Sequence, residues 1–210
     1  MRTYLFKTPA LLKKLYPGLI WDRYSETGRT VFLTFDDGPI PEVTPWVLDQ
    51  LAETGVKATF FMVGDNVRKY PDILRRVVKE GHQVGNHTYN HYNGWKTKDA
   101  EYLQNVRYCD ETLEANGVRT RLFRPPYGKI KRSQIKALQG DHDIVMWDYL
   151  TGDFDQSLTT DRIIRNFRQK VVSGSVVVFH DNIKSFDVLK QTLPEFLSYF
   201  QNEGYHFSTL

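Results

Sequence analysis

The sequence predicts an α/β fold: parallel strands curled into an incomplete barrel, with helices packed on its outside. Three observations lead there. Seven short runs rich in β-branched and aromatic residues, at 30–35, 58–63, 83–86, 121–124, 143–147, 175–179 and 205–208, alternate with stretches whose apolar residues recur at helical spacing. Strands separated by helices pair in parallel through right-handed crossovers. Six glycines, Gly55, Gly81, Gly117, Gly140, Gly174 and Gly204, stand where the six intervening helices should stop. Titratable and ligating residues cluster just after the strands, at the carboxyl ends where barrels and open α/β sheets alike bind ligands. An open doubly wound sheet is the alternative topology.

Residues 1–29 read as a helical and loop extension packed on the barrel, in which Pro9 to Leu15 forms a short helix with Leu11, Leu12 and Leu15 turned inward. The start of the chain is basic, but its apolar run is broken by Pro9, Lys13, Lys14 and Pro17 and lacks a small-residue cleavage site. It therefore reads as neither a signal peptide nor a membrane span, and a cytoplasmic protein is the expectation. Residues 30–210 hold the repeating unit without a linker or low-complexity segment, so they form one domain. Its helices show in Val47, Leu48, Leu51 and Ala52, in Ile73, Leu74, Val77 and Val78, and in Ile163, Ile164, Phe167 and Val171.

With 40% hydrophobic and 14% aromatic residues, the 210-residue chain can bury one sizeable core. Its 28 basic and 25 acidic residues give a net charge of +3 and are spread along the chain, without the basic block that tracks phosphates, so nucleic acid is not a partner. Cys109 stands alone among Leu103, Val106 and Leu113, a packing position in a helix, and no internal disulfide can form.

The chemistry sits on one rim. After the first strand come Asp36 and Asp37; after the third, Asn86, His87 and His91; after the fourth, Arg124, Pro125, Pro126 and Tyr127. The fifth leads to Asp148 and Asp153, the sixth to His180, Asp181 and Asn182. His87 and His91 have the H-x-x-x-H spacing that brings two imidazoles to one cation, on a helical face or in a compact turn. A carboxylate from the neighbouring first strand, Asp36 or Asp37, completes a three-ligand site with room for water. Two adjacent acids at a strand end then make sense. Successive side chains diverge, so one carboxylate binds the cation while its neighbour faces the water as a base.

Five segments occur in order at these strand ends: TFDDGP, HTYNH, RPPYG, WDYLTGDF and VVVFHD. Together they resemble the polysaccharide deacetylases of carbohydrate esterase family four, the NodB homology domain, from about residue 30 to the C-terminus. The resemblance implies a distorted (β/α)7-8 barrel with its active site at the C-terminal strand ends. It implies a divalent metal on Asp37, His87 and His91, usually zinc, with cobalt, nickel or manganese as alternatives. Asp36 would be the base that takes a proton from the metal-polarised water, and Arg124 would hold Asp36. The Tyr127 backbone N–H would face the oxyanion beside the metal, and His180, tuned by Asp153, would protonate the leaving amine. Tyr127, Pro126 and Phe154 would contact the substrate.

Two positions depart from the family pattern. Phe154 stands where Trp commonly follows the Asp, keeping an apolar wall but losing an indole donor, and Val178 stands where Leu is common. Asp148 is a rival to Asp153. The expected reaction is removal of N-acetyl, or O-acetyl, groups from a saccharide containing N-acetylglucosamine, such as a chitin oligomer or peptidoglycan. The alternatives are a non-sugar amidohydrolase on the same scaffold and a catalytically silent carbohydrate-binding protein. Tyr89, Tyr92, Trp95 and Tyr127 are candidates to stack on sugar rings, against a core or surface role, which is the commoner one for any single aromatic in a chain with 29 of them.

Overall fold

The structure, a computed structural model, describes residues 4–24 and 28–210; residues 1–3 and 25–27 of the expected extension lie outside the described residues. Eight strands make one sheet: β1 (Thr30–Asp36), β2 (Thr59–Met62), β3 (Gln83–Asn86), β4 (Leu122–Phe123), β5 (Asp143–Ile144), β6 (Tyr149–Leu150), β7 (Val176–His180) and β8 (His206–Ser208). Their order is β5-β4-β3-β2-β1-β7-β6, with β8 beside the start of β1, and every ladder between them is parallel. The curled sheet is thus open between β5 and β6.

The run at 143–147, expected as one strand, supplies β5 and then leaves the sheet; β6 follows as an element the sequence did not predict. The reason is topological. β5 pairs with β4 at one edge while β6 pairs with β7 at the other, so the chain crosses the mouth of the gap between them. Residues near the N-terminus fill that gap with backbone hydrogen bonds. Ile20 N–H donates to Ile144 O (2.9 Å) and Met146 N–H to Ile20 O (2.7 Å), while Leu150 N–H donates to Phe6 O (2.8 Å) and Thr8 N–H to Asp148 O (2.9 Å).

Alternation along β1 sorts its side chains into two layers. Val31, Leu33 and Phe35 belong to the cluster shared with the outer helices, where Phe35 stacks on Phe60 at 5.0 Å and Phe179 meets Phe196 at 5.3 Å. Phe32, Thr34 and Asp36 take the opposite face: Phe32 packs with Phe61, Leu122, Val145 and Val176 inside the curl. The acid that ends the strand therefore points into the barrel mouth.

The outer layer comprises α2 (Val43–Thr54), α3 (Gly64–Lys69), α4 (Pro71–Lys79), α5 (Asp99–Ala115), α6 (Arg132–Leu138), α7 (Thr160–Lys170) and α8 (Phe186–Asn202), preceded by α1 (Ala10–Leu15). Two helices replace the one expected between β2 and β3, because Pro71 cannot continue α3 but opens a new helix at its first position. Gly55, Gly81, Gly117 and Gly204 end helices with positive φ, whereas Gly140 does not and Gly174 lies beyond the three residues that follow α7. Cys109 is buried in α5. No helix among the described residues is long and apolar enough to cross a membrane.

One expectation fails at α1. Leu11, Leu12 and Leu15 are 70%, 38% and 57% exposed rather than packed inward. An ionic anchor orients this short helix instead. Lys13, on its other face, donates to Asp22 and to Asp148 at 2.6 Å each. Asp148 is fully buried and also accepts from Lys7, from Tyr24 Oη (2.6 Å) and from Ser175 Oγ (2.6 Å). Burial works against its charge, but the bonds from Lys13, Lys7, Ser175 and Tyr24 prevail and hold its carboxyl below the usual range. Removing a carboxylate from such a cluster strands its cations, so Asp148→Ala should lower the unfolding free energy by about 3–5 kcal/mol in urea denaturation. A loss below about 1 kcal/mol would show the anchor to be ornamental.

Candidate active site

Strand ends and the loops after them bring two carboxylates and three imidazoles into one cavity of about 390 Å³: Asp36, Asp37, His87, His91 and His180. Asp37 Oδ1 lies 3.0 Å from His91 Nε2 and 3.6 Å from His87 Nε2. One ligand atom from each of these three residues falls within 4.8 Å of the others. Donors about 2.0–2.2 Å from a tetrahedral zinc ion stand about 3.3–3.5 Å apart, so the spacing fits a small divalent cation.

The donor chemistry fits as well. His87 Nδ1 contacts the Arg124 carbonyl at 2.7 Å, which assigns the proton to Nδ1 and turns the Nε2 lone pair toward Asp37. Burial lowers the His87 pKa to about 4, with His91 adding to the effect and Asp36 and Asp37 opposing it, so the ring is neutral at neutral pH. At Asp37 burial works against charge, yet the His91 bond and the nearby His180, His91 and His87 hold its carboxyl far below the ordinary range. A neutral imidazole and an ionised carboxylate are the forms that bind metal.

Asp36 faces the same space from the barrel interior. Arg124 Nη1 donates to Asp36 Oδ1 and to Thr34 Oγ1, both at 2.7 Å, and Nη2 donates to Met146 O at 3.0 Å. With Oδ1 engaged, Oδ2 is the oxygen 4.0 Å from His87 Nε2. On the other wall, His180 Nδ1 meets Asp153 Oδ1 at 2.8 Å, and Asp153 Oδ2 accepts the His180 backbone N–H at 2.7 Å. Burial pulls the His180 pKa down, but the charge and hydrogen bond of Asp153, aided by Asp37 and Asp36, push it up to about 9. Asp153, not Asp148, is the partner of His180; Asp148 serves the anchor of the N-terminal segment.

The H-x-x-x-H pair adopts the compact turn, not a helical face. Asn105 of α5 wires that turn by accepting the Tyr89 and Asn90 N–H groups at 3.0 and 2.9 Å. Among the described residues, four of the five non-glycine residues with positive φ belong to the site loops: Asp37 (88°), Thr88 (61°), His91 (56°) and Tyr127 (61°). Such conformations cost energy and persist where surrounding contacts impose them.

Tyr127 is 59% exposed, and its ring stands edge-on to His91 at 4.6 Å. Phe154 lines the cavity and packs edge-on to His180 at 5.0 Å, whereas Pro126 is buried and is not among the lining residues. Of the aromatics expected to meet sugar, Trp95 is 62% exposed, while Tyr89 and Tyr92 pack against core clusters and do not line the cavity.

Several positioning residues were given no role by the sequence reading, Asp181 and Asn182 being named only as members of the rim. Asn182 Nδ2 donates to Asp37 Oδ2 at 2.6 Å, leaving Oδ1 to face the histidines. Asn66 Nδ2 donates to the Asp37 carbonyl at 2.8 Å. Asp181, buried behind the loop, accepts the Gly38 N–H at 3.0 Å; a Cβ on Gly38 would fall 2.1 Å from its Oδ2, so only glycine fits there. Asn182 and Asp181 had a signal, their place directly after His180, but Asn66 and Asn105 lie in ordinary helical sequence and carry none.

A sequence model of the family described as polysaccharide deacetylase matches residues 23–143. A peptidoglycan-N-acetylglucosamine deacetylase of Bacillus cereus is 38% identical over 187 residues, covering 86% of this chain and 66% of that protein. A chitooligosaccharide deacetylase of a Bradyrhizobium species is 35% identical over 157 residues, covering 73% of this chain and 71% of that protein. The crystal structure of the Bc1960 peptidoglycan N-acetylglucosamine deacetylase superimposes with a TM-score of 0.82 at 34% identity, covering 97% of this chain and 95% of that one. A mutant of BA3943, a CE4 family pseudoenzyme, superimposes with a TM-score of 0.81 at 25% identity, covering 95% of this chain and 71% of that one, so the scaffold by itself does not decide activity. Matched by the family model over more than half its length and by relatives over most of it, this chain belongs to the polysaccharide deacetylase family.

Proposed function

We propose that the chain is a metal-dependent hydrolase that removes the acetyl group from N-acetylglucosamine residues of a saccharide, with peptidoglycan or a chitin-like oligomer as substrate. The observation that carries this reading is the convergence in one cavity of the Asp37–His87–His91 triad, the Arg124-held Asp36 and the Asp153-held His180. Each residue whose loss would silence the chemistry is present. The names of the relatives support the substrate class.

Asp37, His87 and His91 would hold a divalent cation, and one carboxylate oxygen with two imidazole nitrogens suits zinc above cobalt, nickel or manganese. When bound, the cation polarises the acetyl carbonyl and acidifies a neighbouring water. Asp36 Oδ2, free of the arginine and facing the triad, accepts the proton of the attacking water. The backbone N–H of Tyr127 donates to the carbonyl oxygen as negative charge gathers there. His180, whose Nδ1 is held by Asp153, presents Nε2 to the amide nitrogen and delivers the proton with which the C–N bond breaks, releasing acetate and a free amine.

Acetate release by the zinc-loaded protein from chitin oligomers and from peptidoglycan tests the reading, and no release from either would end it. Asp36→Asn should retain bound zinc, measured by elemental analysis, while turnover falls by about 10²–10⁴; an unaltered rate would remove Asp36 from the mechanism. Asn182→Ala frees Asp37 Oδ2 and should weaken zinc binding by about 10–100-fold in chelator competition.

His180 is in its proton-donating form below its pKa of about 9, so activity should fall as pH rises through that value. A bound cation offsets the contributions of Asp37 and Asp36, which leaves Asp153 as the main support and places the limb at or below about 9. In Asp153→Asn the support is gone, and the alkaline limb of the kcat profile should move to lower pH. A limb that stays in place would show that another group titrates.

A further inference from the structure

The catalytic cavity opens into a second, larger one. This groove, of about 690 Å³, shares Tyr4, Tyr127, Lys129, Trp147 and Leu150 with the catalytic cavity. One wall comes from two barrel loops, the one after β3 carrying Trp95 and the one after β4 carrying Gly128 and Ile130; the other is the segment before β1, which contributes Leu5, Leu12, Tyr16 and Trp21. That second wall lies outside residues 23–143, the part of the chain that matches the family model.

The groove has the properties of a site for amphipathic rings. Two of its three indoles are fixed in place, Trp21 Nε1 donating to Tyr16 O and Trp95 Nε1 to Ile130 O, both at 3.1 Å. Their donors are spent on the protein, and what they offer a ligand is apolar surface. A Cβ on Gly128 would fall 2.6 Å from the Trp147 ring, so the missing side chain lets that indole approach the loop closely. At the junction of the two cavities, the Lys129 ammonium stands 5.6 Å from the Trp95 ring and 6.0 Å from the Tyr127 ring, with no carboxylate partner among the described residues. Apolar ring faces edged by an unpaired cation complement a sugar, which has C–H faces and an oxygen-bearing rim, better than they complement an alkyl chain.

We infer that this groove holds the sugars flanking the reacting residue, and that the segment before β1 determines how strongly the protein prefers long saccharide chains over short ones. The inference rests on the saccharide reading above. The ionic anchor at Asp148 acquires a role in it, since it keeps the second wall at a fixed distance from the first.

Adjacent leucines of α1 give the test. Leu12 lines the groove, whereas the more exposed Leu11 does not. We expect Leu12→Asp and Trp95→Ala to lower the ratio of kcat/KM on the N-acetylglucosamine pentamer to that on the dimer by about tenfold, and to weaken pentamer binding in calorimetry by a similar factor. Leu11→Asp, which adds the same charge one residue away, should leave both unchanged. A ratio and an affinity that stay put in Leu12→Asp and Trp95→Ala would overturn the inference, as would an equal effect of Leu11→Asp. If the parent releases no acetate from either oligomer, the proposed reaction fails while the calorimetry still decides the groove: pentamer binding that weakens only in the two lining variants upholds it, and absence of binding overturns it.

Discussion

The arrangement at the barrel mouth depends on Arg124, a fully buried cation inside the curled sheet. A guanidinium in that position is tolerable only when its donors are met, and here they meet Asp36, Thr34 and the carbonyl of Met146, with the Phe61 ring 4.0 Å from its centre. Its own carbonyl fixes the His87 ring. One residue thus sets the direction of the proposed base through its side chain and of a proposed metal ligand through its backbone. Because Arg124 stands between β4 and the loop that carries Tyr127, a third wall of the cavity is referred to the same point.

Around that fixed centre, polar side chains hold loops in conformations they would not choose alone. Asp37, Thr88, His91 and Tyr127 all sit at positive φ, and the bonds with Asn66, Asn105 and Asn182 and the packing against Asp181 show what holds the Asp37 and His87–His91 loops there. The cost has a chemical purpose. Asp37 turns away from the direction of Asp36, which lets adjacent acids on one strand end take the two separate tasks proposed for them.

The N-terminal segment joins architecture to recognition. It fills the gap between β5 and β6 by backbone pairing, is anchored by lysines to a buried aspartate, and leaves the leucines of α1 facing outward. An apolar helix face exposed beside the proposed catalytic cavity would be a liability in a segment whose only task was to cover the barrel. In a segment that walls a groove, Leu12 of that face has a use.

Much of this was legible in the sequence. Hydrophobic runs of strand length and apolar helical spacing located seven of the strands, since burial on both faces demands such residues wherever a parallel sheet is covered. Side chains placed just after strands pointed to one rim, because parallel strands all end on the same side. Other features depend on contacts between residues far apart in the chain. β6, the closing of the barrel gap and the outward leucines of α1 follow from a buried Asp148 meeting lysines 141 and 135 residues away, and no local pattern encodes such a meeting. The choice of Asp153 over Asp148 as partner of His180, and the asparagines that aim Asp37, were settled in the same way. Periodicity and strand ends are local properties of a chain, so composition and spacing determine them; which buried charge finds which partner is decided only when the folded backbone excludes water and leaves each polar group only the neighbours that the fold supplies.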